Sequence, residues 1–519
     1  MTEPHQTEAP LVEALRAYRK ERTAAFHTPG HKLGAGAPAD LVEALGERFL
    51  SADMGIANGL DDTQESGGLL RRAEELAAQA WGAERSFFVP NGSSSGLQAL
   101  VMAVAGPGDE VIVPRNAHKS LLAGVILGGS LPVYVEPTLD PTWQVAVNVP
   151  LETYVAAIEA HPRARAVFAT SPSYNGFCAD VTGLATVAHA AGLPLVVDQA
   201  WGAHLRFSAA LPLDAMAADA DAAVISVHKL LAGLSQASVV FATGDRIDLD
   251  RLRTMVTMLR TTSPLAPIYL SIDAARRQMT ASGEALWGKA LRLAALARTR
   301  LSAIAGIAVL DGDDARQSGS VDFDPVRLTI SAAGLGLSGY ELERALRSDH
   351  AVAVEAADPH NIVANVTFGD SEATVERLVA AFEAISASVA ASAAPSAGSN
   401  AGSDIGAVAE AHVDIDVAGS GKIAAIAAAP QLPLFTRLAC SPREAFFGPS
   451  EARALRECVG RVSAEMVVPY PPGIPVLGPG EVISAETADY LAAAAVRGAF
   501  VHGPRDLSLA TLRVVAPSP

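Results

Sequence analysis

Cysteine is scarce. The 519 residues contain three, Cys178, Cys440 and Cys458, too few for a disulfide framework and in keeping with a reducing compartment. Basic residues are outnumbered: 39 Lys and Arg against 56 Asp and Glu leave a net charge of -17. That balance argues against nucleic acid, whose phosphates need basic patches. It favours cationic small molecules only as a long-range field. Long apolar runs are missing as well. The nearest to one, IAAIAAAPQLPLF after Lys422, is too short for a bilayer and holds two prolines, so no transmembrane helix is predicted. The N-terminus shows no basic segment followed by an apolar one. No secretory signal is therefore predicted, and the expected location is cytoplasmic. No metal-ligand set is assigned. What the chain does have is 50% hydrophobic and only 18% charged residues, enough for large packed cores. Its length suggests two to four domains.

Strand-length apolar runs alternate with helical patterns. The runs include SFFVP (86–90), EVIVP (110–114), AVFATSP (166–172), LPLVVD (193–198) and AAVISV (222–227). Between them lie helices such as GLLRRAEELAAQAW (68–81) and LATVAHAAG (184–192), the second closed by a glycine. This order predicts βαβ units and a mostly parallel sheet, buried on both faces. Ligands of such sheets sit beyond the carboxyl ends of the strands, where the polar residues cluster here. Around 300–390 a β-α-β-α order suggests a small α/β domain. Residues 387–414 are rich in Ala, Ser and Gly and read as a flexible linker or insertion. A distinct C-terminal α+β unit follows. The predicted organisation is a helical arm (1–25), a large domain (26–300), a small domain (301–386), the linker (387–414) and the C-terminal domain (415–519). No internal repeat is present.

Asp198 and Lys229 stand at the ends of two apolar runs, in LVVDQAWGAH and SVHKLLAGLSQAS. Buried lysine is rare unless paired or used chemically. One reading is a lysine that forms a Schiff base with the aldehyde of pyridoxal phosphate, with Asp198 keeping the pyridine nitrogen protonated. The other is a snorkelling lysine and a helix N-cap, and the pair alone leaves both open. NGSSSG (91–96) joins a strand to a helix, which suits an anion at a helix N-terminus and equally suits ordinary capping. Ser226 and His228 could add phosphate donors. His118, in PRNAHKS, could stack on a cofactor ring or serve as a structural hydrogen bonder. Trp201 and His204 could wall the pocket or pack in the core.

These segments resemble the bacterial ornithine/lysine/arginine decarboxylases, pyridoxal-phosphate enzymes of fold type I, the aspartate aminotransferase fold. The likeness is greatest to shorter members without the N-terminal wing domain. It spans AFHTPGHKLGAG (25–36), GLDDTQESGG (59–68), GDEVIVPRNAHKS (108–120), SPSYNGFCAD (171–180), VVDQAWGAH (196–204), SVHKLLAGLSQAS (226–238) and TTSP (261–264). It continues in LTISAAGLGLSGYELERAL (328–346) and in the C-terminal PYPPGIPVLGPGE (469–481). The resemblance implies that Lys229 is the Schiff-base lysine, Asp198 pairs with the pyridine nitrogen and His118 stacks on the ring. It implies that Ser94, Ser95, Ser226 and His228 hold the phosphate, with Trp201 in the pocket. Thr261 and Thr262 would reach the phosphate of a neighbouring subunit, making a homodimer or larger homo-oligomer. The chain departs from the family at Gln199, where an acidic residue is common, at Trp201, and at Leu265-Ala266 after TTSP. DDTQESGG is looser than the family's usual loop.

The implied reaction is decarboxylation of arginine, lysine or ornithine, giving CO2 and agmatine, cadaverine or putrescine, a place in polyamine synthesis. Candidate proton donors to Cα are Lys229, His228 and Cys178. Selection of a cationic side chain needs a distal carboxylate, for which Asp61, Asp62, Glu355 and Glu481 are candidates. Another fold type I reaction, transamination or lysis, is the competing expectation. A transaminase grips the substrate carboxylate with an arginine, for which Arg327 is the available residue. The C-terminal module favours the decarboxylases. A binding protein that kept only the fold is the third expectation, but it predicts loss of Lys229, Asp198 or His118, and all three are present.

Overall fold

The structure is a computed structural model, and it describes residues 5–21, 24–55, 68–393, 433, 437–470, 473–496 and 500–517. Its centre is a seven-stranded sheet. The strands are β1 (Arg85–Val89), β2 (Glu110–Pro114), β3 (Leu131–Val135), β4 (Val167–Thr170), β5 (Leu195–Asp198), β6 (Ala222–Ser226) and β7 (Ser238–Ala242). They lie in the order β1-β7-β6-β5-β4-β2-β3. From β6 to β3 the neighbours are parallel, and β7 runs antiparallel to β1 and β6. The predicted sheet is therefore present, with one reversed strand.

The apolar runs have no polar face because both faces are covered. Phe88, Ile112, Val167, Val197, Ile225 and Phe241 join one buried cluster. Their chain neighbours Phe87, Val113, Phe168, Val196, Val224 and Val240 join another, as period-two alternation requires. Helix α1 (Ser93–Val104) and helix α2 (Lys119–Gly128) pack on the second face. A Cβ at Gly96 in the first turn of α1 would stand 2.8 Å from Val240 and 3.0 Å from Val224. Only glycine lets this helix start so close to the sheet. On the other face Trp81 is wedged between Phe207 (4.8 Å, edge on) and Phe241 (5.2 Å, stacked). Each such pair contributes about 0.5–1.5 kcal/mol beyond burial.

The 37-residue helix α3 (Ala266–Ser302) runs across the predicted boundary at 300 and ties the large unit to the small one. Its buried Trp287 touches His204, in the loop after β5, at 4.5 Å and Phe368 of the small unit at 5.5 Å. The small unit holds a four-stranded antiparallel sheet in which Arg327–Ser331 pairs with Asn361–Asn365. Helices Gly339–His350 and Glu372–Ala393 cover it. The second of these carries residues 387–393 of the expected linker as helix, and 394–414 lie outside the described residues. The C-terminal unit has its own apolar cluster, including Cys458, Val467, Leu477, Ile483 and Val514. In it, Ser450–Ala454 pairs with Thr511–Val515. Among the described residues no helix is long and apolar enough to cross a membrane.

Candidate active site

Four segments converge at the carboxyl ends of the strands. Asp198 ends β5, and its register partner across β4 is Thr170. Both share a face with Val196 and Phe168, as does Ser226 at the end of β6. Asp198 is 6% exposed, and its Oδ1 accepts one bond, from the Ala200 amide at 3.1 Å. Burial pushes its carboxyl pKa up against the pull of Lys229 and that amide. Lys229 lies in the short helix Val227–Leu230 after β6. Burial lowers its pKa to about 8, with Asp198 opposing the shift. The ammonium sits 3.9 Å from the centre of the Trp201 ring.

His118 caps the N-terminus of α2: its Nδ1 accepts from the Ser120 amide at 3.3 Å and lies 2.7 Å from the Ser120 hydroxyl. Burial, with Lys229 and Lys119 adding to it, pushes the imidazole pKa down to about 3. The ring is therefore neutral at physiological pH. His228 holds its Nδ1 3.0 Å from the Ala237 carbonyl, which fixes the proton on that nitrogen.

The start of α1 is built to receive an anion. Its cap is Gly92, which offers no side-chain bond to the first turn. The Ser95 hydroxyl is turned back onto the Gly92 carbonyl at 3.1 Å. Ser226 donates to Ser93 at 2.8 Å, so Ser93 belongs to this corner although the sequence reading passed over it. Its signal was its place beside Ser94 and Ser95 in NGSSSG. Thr261 reaches the same corner within one subunit, its amide donating to Asn91 Oδ1 at 3.2 Å.

These residues fit pyridoxal phosphate. The corner offers the N–H groups of a helix N-terminus and serine hydroxyls for a phosphate. Asp198 is a buried carboxylate that accepts one hydrogen bond, and the Thr170 hydroxyl is buried without a partner among the described residues. Lys229 is an amine of lowered basicity placed across from Asp198.

Further residues meet the pocket from the small unit. Arg327 is fully buried, with its guanidinium carbon 3.9 Å from the centre of the Trp201 ring and 5.4 Å from that of Tyr174. Its Nε and Nη2 donate to the Tyr174 carbonyl and its Nη1 to Asn365. Asn365 in turn donates to Glu355 Oε2 at 3.1 Å. Tyr174, from the SPSYNG motif, was also missed by the sequence reading, and its phenol oxygen is buried without a partner among the described residues.

Two expectations change. Glu481 lies outside the pocket, fully buried in an ion pair with Arg115 at 3.1 Å and accepting from the Gly478 amide at 2.6 Å. A carboxylate so engaged does not face a substrate. Cys178 is a core residue in a two-stranded pairing with Asp322. Its thiol contacts the Gly176 carbonyl at 3.7 Å, and burial raises its pKa, against a role as proton donor. Gln199 is structural: it is 1% exposed, donates to Asp214 at 2.7 Å and accepts from the Ala215 amide at 2.6 Å. Asp61 and Asp62 lie outside the described residues.

Comparison with known proteins bears on the family and the fold. The family model of the Orn/Lys/Arg decarboxylase major domain matches residues 9–374. That of the same family's C-terminal domain matches residues 435–500. The arginine decarboxylase of Bacillus subtilis (strain 168) is 35% identical over 510 residues, 98% of each chain. The structure of lysine decarboxylase A from Pseudomonas aeruginosa superposes with a TM-score of 0.82 at 24% identity, covering 98% of this chain and 80% of that one. An alanine–glyoxylate aminotransferase from Nostoc sp. superposes at 0.52 with 17% identity, over 65% of this chain and 91% of its own. The large unit thus has the aspartate aminotransferase fold, fold type I, of the pyridoxal-phosphate enzymes. With family models matched along most of its length, the chain belongs to the Orn/Lys/Arg decarboxylase family.

Proposed function

We propose that this enzyme decarboxylates a basic L-amino acid, arginine, lysine or ornithine, with pyridoxal phosphate held on Lys229 as a Schiff base. The observation that carries the reading is the buried, cation-poor Asp198 facing a lysine of lowered pKa beside a neutral His118. Bound there, the cofactor supplies an electron sink for the pair left when CO2 departs. The chain's own residues do the rest. Asp198 holds the positive charge of the ring nitrogen, and His118 stacks as an uncharged plate. Ser93, Ser94, Ser95, Ser226 and His228 would take the phosphate; the Thr261 amide is tied to Asn91 of its own subunit, and in a homodimer the Thr261–Thr262 turn would lie between this corner and the partner's. Lys229, its amine neutral in part near pH 8, would hold the cofactor's aldehyde carbon and, once displaced by the substrate's amino group, would carry the proton taken from that group to Cα. Trp201 and Tyr174 keep water from the departing carboxylate, which leaves most readily where it is poorly solvated. Arg327 favours this chemistry over transamination, because its Nε–Nη2 edge and Nη1 are engaged by Tyr174 and Asn365.

Glu355 is the carboxylate assigned to the substrate's distal cation. It has no ion pair among the described residues, is held by Asn365, and its field reaches Lys229, Arg327 and Tyr174. The name of the Bacillus subtilis relative puts arginine first among the three substrates. The test is to incubate the protein and Lys229→Ala with cofactor and each amino acid, measuring CO2 and the matching amine. One substrate turned over, with loss in the variant, is the expected result. A lysine-bound cofactor band without CO2 from any of the three would overturn the reading.

A further inference from the structure

The C-terminal unit meets the site beside His118. The amide of Lys119, next to His118, donates to the carbonyl of Gly473 at 2.9 Å. Gly473 has φ +91°, and a Cβ there would stand 2.9 Å from His118 Cδ2 and 3.0 Å from Nε2. The backbone of Gly473 therefore rests on one edge of the imidazole, while Ser120 holds Nδ1 on the other. The contact has a foundation. Arg115, three residues before His118, donates to the carbonyls of Pro475 at 2.6 Å and Val476 at 3.1 Å and pairs with Glu481. Arg115 and Glu481 are 2% and 0% exposed. The Tyr470 ring lies 5.6 Å from the Lys119 ammonium and packs edge on against His502 at 5.0 Å.

We propose that the 473–481 segment of the C-terminal unit is a positioning element of the active site, with the Gly473 backbone setting the place of the His118 ring. The inference rests on the reading of His118 as the stacking residue. A neutral imidazole offers the cofactor ring shape and dispersion rather than charge, and such contacts fade within an ångström of displacement. A ring held only at Nδ1 can pivot about that bond. Contact along the Cδ2–Nε2 edge removes the pivot. Any side chain at 473 enters the space of the imidazole and pushes it toward the cofactor or off it. The catalytic sheet thus supplies the histidine and the C-terminal unit supplies its backstop.

The test compares Gly473→Ala with Gly460→Ala in the full chain. Gly460, also in the C-terminal unit, has φ +80° with open space around its Cβ, so it reports the left-handed backbone penalty alone. We expect Gly460→Ala to keep wild-type cofactor affinity and the visible circular dichroism of the lysine-bound cofactor. Gly473→Ala should weaken cofactor binding about tenfold, in line with loss of a stacked pair, and change that dichroism. In a His118→Ala background, where the ring is gone, Gly473→Ala should have no further effect. A second pair covers misfolding of Gly473→Ala. Lys119 is the first helical position, where proline is tolerated, and His118 at ψ 146° is extended as a following proline requires. Lys119→Pro deletes the bond to Gly473, and Lys119→Ala removes only the side chain. Weaker cofactor binding in Lys119→Pro than in Lys119→Ala is expected. Wild-type affinity and dichroism in Gly473→Ala, additive effects with His118→Ala, or equal binding by the two Lys119 variants would overturn the proposal. Failure of the unaltered protein to bind cofactor would instead overturn the proposed function.

Discussion

Two regions flank His118, and they are held together by different means. On one side Asp198, Ser226 and Lys229 stand at or just past the ends of neighbouring parallel strands. Their spacing follows from the sheet, whose strands lie about 4.8 Å apart, and the proposed cofactor would touch them directly. On the other side Arg115 and Glu481 are separated by 366 positions in the chain and meet in a pair that water does not reach. No regular geometry dictates that meeting; it depends on one partner finding the other. The comparison separates two tasks. Topology delivers the reactive groups, and a specific long-range contact sets the posture of a group that is itself unreactive. Substitutions on the first side should therefore strike chemistry and spare folding, and substitutions on the second should do the reverse.

The largest effect should come from Lys229→Ala, which removes the amine that forms the covalent link. CO2 release should fall by about 10⁴-fold or more, with melting temperature unchanged or higher. Substantial turnover in this variant would erase the distinction at its strongest point. Next is Glu481→Gln. It leaves the Arg115 charge buried without its counter-charge, a change that costs about 3–5 kcal/mol. Chemical denaturation should show that loss, while Arg115→Met combined with Glu481→Leu should recover most of it, since a packed apolar pair replaces a buried ionic one. If Glu481→Gln keeps full stability but raises the KM for the amino acid, Glu481 belongs with the substrate after all and the two regions are one.

Asp198→Asn should come third. The amide keeps the shape and the Ala200 bond but loses the charge that faces the ring nitrogen. Losing a preorganised electrostatic partner lowers kcat by about 10²–10³-fold, readable from CO2 release under saturating cofactor, with little change in melting.

Legibility in the sequence divides along the same line. Asp198 and Lys229 were visible because each is a polar residue closing an apolar run, and run and break lie within ten positions. The main sheet was visible for the same reason, down to its two-sided burial. The reversed strand β7 was not, because SVVFA reads alike in either direction. Glu481 was visible as a residue but misplaced, since PGE carries no mark of a partner in PRNAHKS. Arg327 and Glu355 stood out only as charges in a small α/β pattern. Their joining through Asn365 follows from strand register in the small sheet, where Arg327 pairs with Asn365 and Glu355 lies beside the same strand, and local periodicity does not encode register. Gly473 passed unnoticed inside PYPPG because its contact is made by backbone.

The smallest and most discriminating effect concerns Lys229 without cofactor. Its folded pKa of about 8 lies below its ordinary 10.5. Between those values the unfolded chain keeps a proton that the folded chain has released, so stability rises with pH across that window. Below pH 8 the full cost of burying the cation is present, on the order of 3 kcal/mol. Apoprotein carrying Lys229→Met should therefore melt a few degrees above the unaltered apoprotein at pH 7. The loss of the Trp201 contact reduces that gain but does not depend on pH below 8. The gap should narrow as the pH climbs from 8 toward 10.5, above which the lysine is neutral in both states. Melting curves at pH 7 and pH 10 decide it. A gap that stays constant with pH means the lysine is not held as a strained cation, and the region that topology delivers would then be no more primed for chemistry than the region that the long-range contact holds in place.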